Sequence, residues 1–373
     1  MQTLFIITLF LTVYSYAVYP VLLHFLARII RKGWKKQTFQ PAVTIIISAF
    51  NEEKDIENKI NNSLQLKYPE DKLEIIVSSD GSTDRTDEIV TGIKDKRLLL
   101  MSFSGRIGKT ACLNKVIPEA KGEIVLFTDA NSMFAKDTLQ QLVENFYDQE
   151  VGAVTGWTKY HNTETGEETT GTYAKLEKIT KFDESKISSC VGADGAIFAI
   201  RKELYSPLGA NDINDFIIPL NVIEQGKRVV LDPAVFCIEE ETKGLKNIFR
   251  RQVRITTRTA WAIRRNAKLL NFSRYGSFSF FLLSHKILRL MTPFFFLAMF
   301  VINFFILDKS PFYALTLSGQ LLFLVVALAA MAGIVRGRIF SFCKYFLITC
   351  AAHFLGCLRM LVGIEDIIWT PKR

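Results

Sequence analysis

Apolar and polar positions are sharply segregated along this chain. Residues 4–26 form an almost uncharged run, residues 290–307 and 313–334 form two more joined by the short loop 308–310, and a last apolar stretch, 340–363, is interrupted by Lys344, His353 and Arg359. A bilayer crossing needs about 20 predominantly apolar residues, so each run is long enough to span. Residues 41–240 have a soluble composition instead. Within them, strand-like runs at 43–50, 73–80, 98–103, 123–130 and 151–160 alternate with helix-like runs at 52–66, 84–94, 109–119 and 136–147. Strands alternating with helices predict an α/β domain with a mostly parallel sheet covered on both faces.

Composition sharpens this picture. Of the 373 residues 49% are hydrophobic and 22% charged, which excludes a disordered chain and is too apolar for an ordinary soluble enzyme. The first run starts uncharged and is followed by Arg28, Arg31, Lys32, Lys35 and Lys36, the reverse of a secretory signal peptide. It reads as a retained anchor, and the positive-inside rule places the N-terminus outside and the following domain in the cytoplasm of the cell, at its inner membrane. Arg336 and Arg338 place the end of the third run inside. The fourth run fits either a packed transmembrane helix or a helix on the membrane surface, which leaves the side of the tail 369–373 open. Cys343, Cys350 and Cys357 recur every seven residues, as small residues do at a helix contact. Six cysteines without a CxxC pair and only four histidines predict free thiols, with neither a disulfide frame nor a zinc site. The formal charge of +9 comes largely from basic residues flanking apolar runs, so anionic membrane lipid is the expected partner and nucleic acid is not. The chain divides into an anchor with its basic flank (1–36), an α/β domain (37–241), basic amphipathic interface helices (242–289) and C-terminal membrane helices with the tail (290–373).

Ligands of a Rossmann-like sheet bind at the carboxyl ends of its strands. Three polar turns stand there: Ala49-Phe50-Asn51-Glu52-Glu53, Ser79-Asp80-Gly81-Ser82-Thr83-Asp84 and Thr128-Asp129-Ala130-Asn131. Any one of them would serve as a helix N-cap, but three in order on one sheet define a crevice. The segment 105–114, Gly-Arg-Ile-Gly-Lys-Thr-Ala-Cys-Leu-Asn, follows the third strand and lacks the GxxxxGK[ST] spacing of a Walker loop. This ordered set resembles the family 2 glycosyltransferases of GT-A fold. The flanking apolar runs resemble the membrane-embedded branch that contains cellulose, hyaluronan and poly-N-acetylglucosamine synthases. The resemblance covers about residues 40–265.

The resemblance implies the following roles. Asn51, Glu52 and Asp80 line the nucleotide site, Asp80 being the acid that contacts uracil or ribose, and Gly108, Lys109 and Asn114 continue that pocket. Asp129 and Asn131 occupy the position of the family's paired aspartates, which hold Mg²⁺ or Mn²⁺ against the donor diphosphate; here the second acid is an amide. Gly192, Asp194 and Gly195 fall on the acceptor side. Asp215, in Asn-Asp-Phe, matches the catalytic base, and a helix expected over 217–225 would set it at a helix N-terminus, which favours the ionised form. Arg254 matches the arginine of the family's QxxRW motif, which stabilises the leaving diphosphate; Arg251 stands at the glutamine position and Ile255 at the tryptophan position. Residues 242–274 carry ten basic side chains and no acid, and their apolar positions Leu245, Ile248, Phe249 and Val253 mark an amphipathic helix for anionic headgroups.

The expected activity is inverting, metal-assisted transfer of a sugar from a nucleotide sugar, with UDP as the expected nucleotide, to a glycan or lipid-linked acceptor at the cytoplasmic membrane face. Two other readings stay open. One is a non-processive transferase adding a single sugar to a lipid carrier or membrane lipid. The other, prompted by Asn131 and Ile255, is a catalytically silent nucleotide-binding subunit of a synthase complex. With so few apolar runs, a long polymer would call for oligomerisation or a partner channel.

Overall fold

The computed structural model describes residues 1–161, 168–240 and 244–365. They form two compact units, one of residues 23–240 with 266–281, the other of residues 1–22, 244–265 and 282–365. The tail 369–373 lies outside the described residues.

The first unit is built on a sheet of eight strands: β1 (Val43–Ala49), β2 (Leu73–Ser79), β3 (Leu98–Ser102), β4 (Ile124–Asp129), β5 (Met133–Phe134), β6 (Val151–His161), β7 (Phe198–Arg201) and β8 (Arg228–Glu240), in the order β3-β2-β1-β4-β7-β6-β8-β5. The first four pair in parallel, as expected. The other half is mixed: β7 runs antiparallel to β4 and β6, β8 pairs parallel with β6, and β5 pairs antiparallel with β8. β7 has only four residues and Pro233 interrupts β8, so neither shows the long uninterrupted apolar run by which β1, β2 and β4 are legible in the sequence.

β1 is buried almost throughout because helices cover both faces. Ile45, Ile47, Ile75, Val77, Leu126 and Val154 join one core with helix residues Ile56, Ile60, Leu139 and Leu142. A fully buried side chain of this size contributes roughly 1.5–3 kcal/mol relative to leaving it in water. The helices are Ile56–Leu64, Thr86–Gly92, Lys109–Glu119, Thr138–Val143, Thr172–Ile187 and Asn214–Glu224. The first begins four residues later than the pattern suggests, because residues 50–55 form the turn after β1. The segment before β1 is strapped onto this unit: Trp34 Nε1 donates to Asn145 Oδ1 at 2.7 Å, and Lys36 Nζ meets Asp232 Oδ2 at 2.7 Å.

Among the described residues four helices are long and apolar enough to cross a membrane: Gln2–Ile30, Ser277–Phe304, Pro311–Met331 and Arg338–Leu361. The first and second extend across the division between the units. The undecided fourth run is thus one continuous helix. Apolar side chains such as Phe10, Leu315, Leu322, Val325 and Phe342 are exposed, as on a lipid-facing surface. Inside, Phe5 packs edge-on against Tyr313, and the Asn303 amide donates to Thr316 Oγ1 and Gln320 Oε1 at 3.1 and 3.3 Å. Polar side chains pairing between apolar helices hold such bundles together. Helix Leu245–Arg265 packs on Arg338–Leu361 at Gly356, where an added Cβ would lie 2.6 Å from Thr256. Cys350 and Cys357 are buried on that same helix, in keeping with a helix-contact role, and all six cysteines are free thiols.

Candidate active site

Register brings the polar turns to one edge. Ala49 pairs with Ser79, and Ser48 with both Ser78 and Asp129, so β1, β2 and β4 end level. The first two turns are laced together. Asn51 adopts φ 54°, a left-handed conformation that asparagine tolerates, and its Oδ1 accepts from the Thr83 amide at 2.8 Å. The Glu52 amide donates to Thr86 Oγ1 at 2.8 Å and the Glu53 amide to Asp84 Oδ2 at 3.1 Å. Asn51 and the Glu52 amide thus shape the crevice, and the Glu52 side chain is buried.

Asp80 organises the loop after β3. Its Oδ1 accepts from the Ile107 and Gly108 amides at 2.8 and 3.0 Å, and its Oδ2 from Arg106 Nε at 3.2 Å. Arg106 lies flat over the Phe50 ring, 3.4 Å from its centroid, so the first, second and third strand ends share one cluster. Gly81 has φ 69° and sits against the Gly105 carbonyl, where no Cβ would fit. Gly108, at φ 91°, caps helix Lys109–Glu119 and starts it at the crevice. Asn114 faces the wall of the pocket: its Oδ1 accepts from Tyr205 OH at 2.6 Å and the Leu208 amide at 2.8 Å, and its Nδ2 donates to Leu208 O at 2.8 Å.

Lys109 Nζ reaches Asp129 Oδ1 at 2.6 Å, with the Asp129 side chain 41% exposed. Asp129 and Asn131 suit a divalent ion that takes its remaining oxygens from a bound diphosphate, since Mg²⁺-type sites commonly use one or two carboxylates plus phosphate. Among the described residues no group of three or more His, Cys, Asp or Glu side chains is placed to hold an ion by itself, so the donor set fits a metal shared with substrate.

The acceptor-side turn arrives at the same edge through strand direction. β7 is antiparallel to β4 with Phe198 opposite Phe127, so the turn preceding β7 emerges beside the end of β4, where Asp129 lies. Within that turn Asp194 is a structural hub. Its Oδ2 accepts from Thr158 Oγ1 at 2.9 Å, its Oδ1 from the Ala196 amide at 3.1 Å, and its own amide donates to Thr155 Oγ1 at 2.8 Å. Lys181 Nζ donates to Ala193 O at 3.3 Å.

Asp215 is the second residue of helix Asn214–Glu224, three residues earlier than the helix expected from the sequence. Pro219 stands four residues later and has no N–H, so the Asp215 carbonyl lacks its helical donor. It accepts instead from the Ala193 amide at 2.7 Å, which ties helix Asn214–Glu224 to the 192–196 turn. Gly195 faces the Asp215 carboxylate so closely that a Cβ would lie 2.9 Å from Oδ2, and Gly192, at φ 76°, would bring one 3.1 Å from Phe216. Gly192, Asp194, Gly195 and Asp215 therefore form one cluster.

Arg251 and Arg254 belong to the other unit, on helix Leu245–Arg265, with Arg251 exposed and Arg254 and Ile255 half-buried. Trp261 Nε1 donates to Ile364 O at 3.1 Å, which holds that indole within its own unit. Sequence reasoning missed Arg106, Thr158, Lys59 and Glu239. Lys59 is fully buried on helix Ile56–Leu64, where burial pushes its ammonium down to about 7 against the opposing pull of Asp129 and Glu239. No signal in the Ile-Glu-Asn-Lys-Ile-Asn-Asn run distinguishes it from a solvated helix lysine.

A GT-A-type crevice edged by these turns defines a class, and the comparisons agree. A family model described as glycosyl transferase family 2 matches residues 44–208. That match runs from β1 past β7 and covers less than half of the chain. The chain is 27% identical over 220 residues to poly-beta-1,6-N-acetyl-D-glucosamine synthase of Staphylococcus aureus (strain COL), a match covering 57% of this chain and 53% of that protein, so it spans about half the relative's length. The probable glycosyltransferase YdaM of Bacillus subtilis (strain 168) is 26% identical over 295 residues, 74% of this chain and 67% of that protein. Among solved structures, the mannosyltransferase PcManGT from Pyrobaculum calidifontis, in complex with GDP-Man and Mn2+, superposes with TM-score 0.75 over 96% of this chain and 99% of its own, at 24% identity. That likeness establishes the fold.

Proposed function

We propose that this chain catalyses inverting transfer of a sugar from a nucleoside-diphosphate sugar to a glycan or lipid-linked acceptor at the cytoplasmic face of a cell membrane, within cell-surface polysaccharide synthesis. The observation that carries the reading is topological. One sheet edge presents Asp129 at the end of β4 and, through antiparallel β7 and the Ala193–Asp215 hydrogen bond, the Asp215 carboxylate. The names of the Staphylococcus relative and of the Pyrobaculum neighbour support a nucleotide-sugar donor and a glycan product.

In this reading Asp215 accepts the proton of the acceptor hydroxyl as its oxygen attacks the anomeric carbon, while Gly195 and Gly192 leave room for the sugar against backbone. Asp80 holds the 106–108 loop, and Lys109 supplies a positive charge beside the diphosphate. Asp129 and Asn131 would hold a Mg²⁺ or Mn²⁺ ion, which offsets charge on the departing diphosphate when bound. Arg254, with Arg251, offers a guanidinium whose fork matches phosphate oxygens as charge develops. The basic helix Leu245–Arg265 lies at an anionic membrane surface. A donor screen on the purified full chain with UDP- and GDP-sugars, read by nucleotide release and product mass, tests the whole reading. Tight nucleotide binding without turnover of any donor would replace it with a silent binding subunit.

A further inference from the structure

The buried Lys59 is a charged group that the proposed chemistry leaves unused. It sits on helix Ile56–Leu64, its side chain 0% exposed. Its Nζ donates to the Ser132 carbonyl and lies 3.5 Å from the centroid of the Phe134 ring. Ser132 closes the turn that begins at Asp129, its amide donating to Asp129 O at 3.3 Å. The Ser132 hydroxyl donates to Glu239 Oε1 on β8, which pairs with β5. The same helix already clamps this segment without a charge: Asn62 Nδ2 donates to Phe134 O and Asn62 Oδ1 accepts the Phe134 amide, each at 2.8 Å. An apolar side chain at position 59 would fill the space and avoid burying an ammonium, which is costly unless nearby charge and hydrogen bonds compensate it. The charges acting on Lys59 include Asp129 and Glu239, and Asp129 itself meets Lys109 at 2.6 Å. Two lysines thus attend a turn that has one carboxylate, Asp129, and an amide at Asn131.

We propose that Lys59 is a positioning residue of the donor turn that also sets its charge, biasing the Asp129–Ser132 turn toward the diphosphate and away from the divalent cation. This rests on reading that turn as the donor site. The buried ammonium acts through Ser132, whose carbonyl it holds, and through its field at Asp129. A residue that only shaped the turn would, when removed, weaken both ligands together. Removing a positive charge moves them in opposite directions.

The test is a pair of titrations on the full-length chain at pH 6, where the ammonium is charged. The nucleoside diphosphate that the wild type binds, UDP or GDP, is titrated calorimetrically in EDTA, and Mn²⁺ is titrated by electron paramagnetic resonance at saturating nucleotide. Lys59→Met is expected to weaken the nucleotide and tighten Mn²⁺, by about three- to tenfold each. Glu239→Gln keeps an acceptor for the Ser132 hydroxyl but removes a negative charge, and is expected to shift both constants the other way. It decides the matter alone if Lys59→Met does not fold. Parallel weakening of both ligands, or no shift in either, overturns the proposal. A wild-type chain that binds neither UDP nor GDP overturns the donor-site reading, and this inference with it.

Discussion

At the scale of single residues, the proposed chemistry concentrates on three carboxylates in different settings. Asp80 is committed to the 106–108 loop, Asp129 is partly exposed beside Lys109, and Asp215 lies against glycine. Asp215→Asn is expected to lower turnover by about 10²–10⁴ while leaving nucleotide binding largely intact, because the amide keeps the shape and loses the basicity. Wild-type turnover in that variant would remove Asp215 from its role. Activity is expected to vanish in EDTA and return with Mg²⁺ or Mn²⁺, and Asn131→Asp, which adds a carboxylate, to lower the metal concentration needed for half-maximal rate. Full activity in EDTA would exclude the ion. Lys59 adds a stability signature. Its folded-state value of about 7 lies below the 10.5 of an ordinary lysine, so above pH 7 the unfolded chain binds more protons than the folded one. Stability relative to Lys59→Met should therefore rise between pH 7 and 9, as thermal melts of the two proteins would show.

At the scale of elements, glycine and proline do the positioning. Pro219 withholds a helical N–H from the Asp215 carbonyl, and the Ala193 amide takes its place at 2.7 Å. Gly195 then permits the close approach of turn and carboxylate. Gly195→Ala places a methyl 2.9 Å from Asp215 Oδ2, so the carboxylate must move. Turnover should fall by about tenfold or more with nucleotide affinity unchanged, since displacing a reacting group by even about 1 Å is costly. Equal loss of nucleotide affinity in a binding titration would show that the change reached beyond this turn. Gly356 does the corresponding work between helices Leu245–Arg265 and Arg338–Leu361, by letting Thr256 approach.

At the scale of the whole molecule, four helices among the described residues have the length and composition to cross a membrane. A channel wide enough for a polysaccharide calls for more wall than so few helices offer, and Ile255 presents no aromatic face on which a sugar can stack. Purified monomer is accordingly expected to make short products on a membrane-bound acceptor, with long polymer requiring oligomerisation or a partner channel. Sizing the product against the oligomeric state of the same preparation checks this, and long polymer from a strictly monomeric sample would refute it.

How much of this was legible beforehand follows from the range of the interactions involved. The sequence by itself determined the apolar helices, the parallel strands β1 to β4 and the turns at their ends, because each is written in contiguous residues: a run of about 20 apolar positions, or a short apolar strand closed by Asp, Asn, Gly and Ser. Helix Lys109–Glu119 matches its expected span for the same reason. Only the tertiary structure decided the mixed half of the sheet, where β7 and β8 take their direction from partners far away in the chain. It also decided which polar residues hold which loop. Asp194 and Asn114, which the resemblance sets at the site, also hold the fold around it, through hydrogen bonds to Thr158 and to the 205–208 segment. Lys59 carries no sequence signal that sets it apart from a solvated helix lysine, yet it is fully buried. Residue type states what a side chain can bond to, but which bond forms depends on what the fold brings within about 3 Å, and that distance is set by packing between segments remote in sequence.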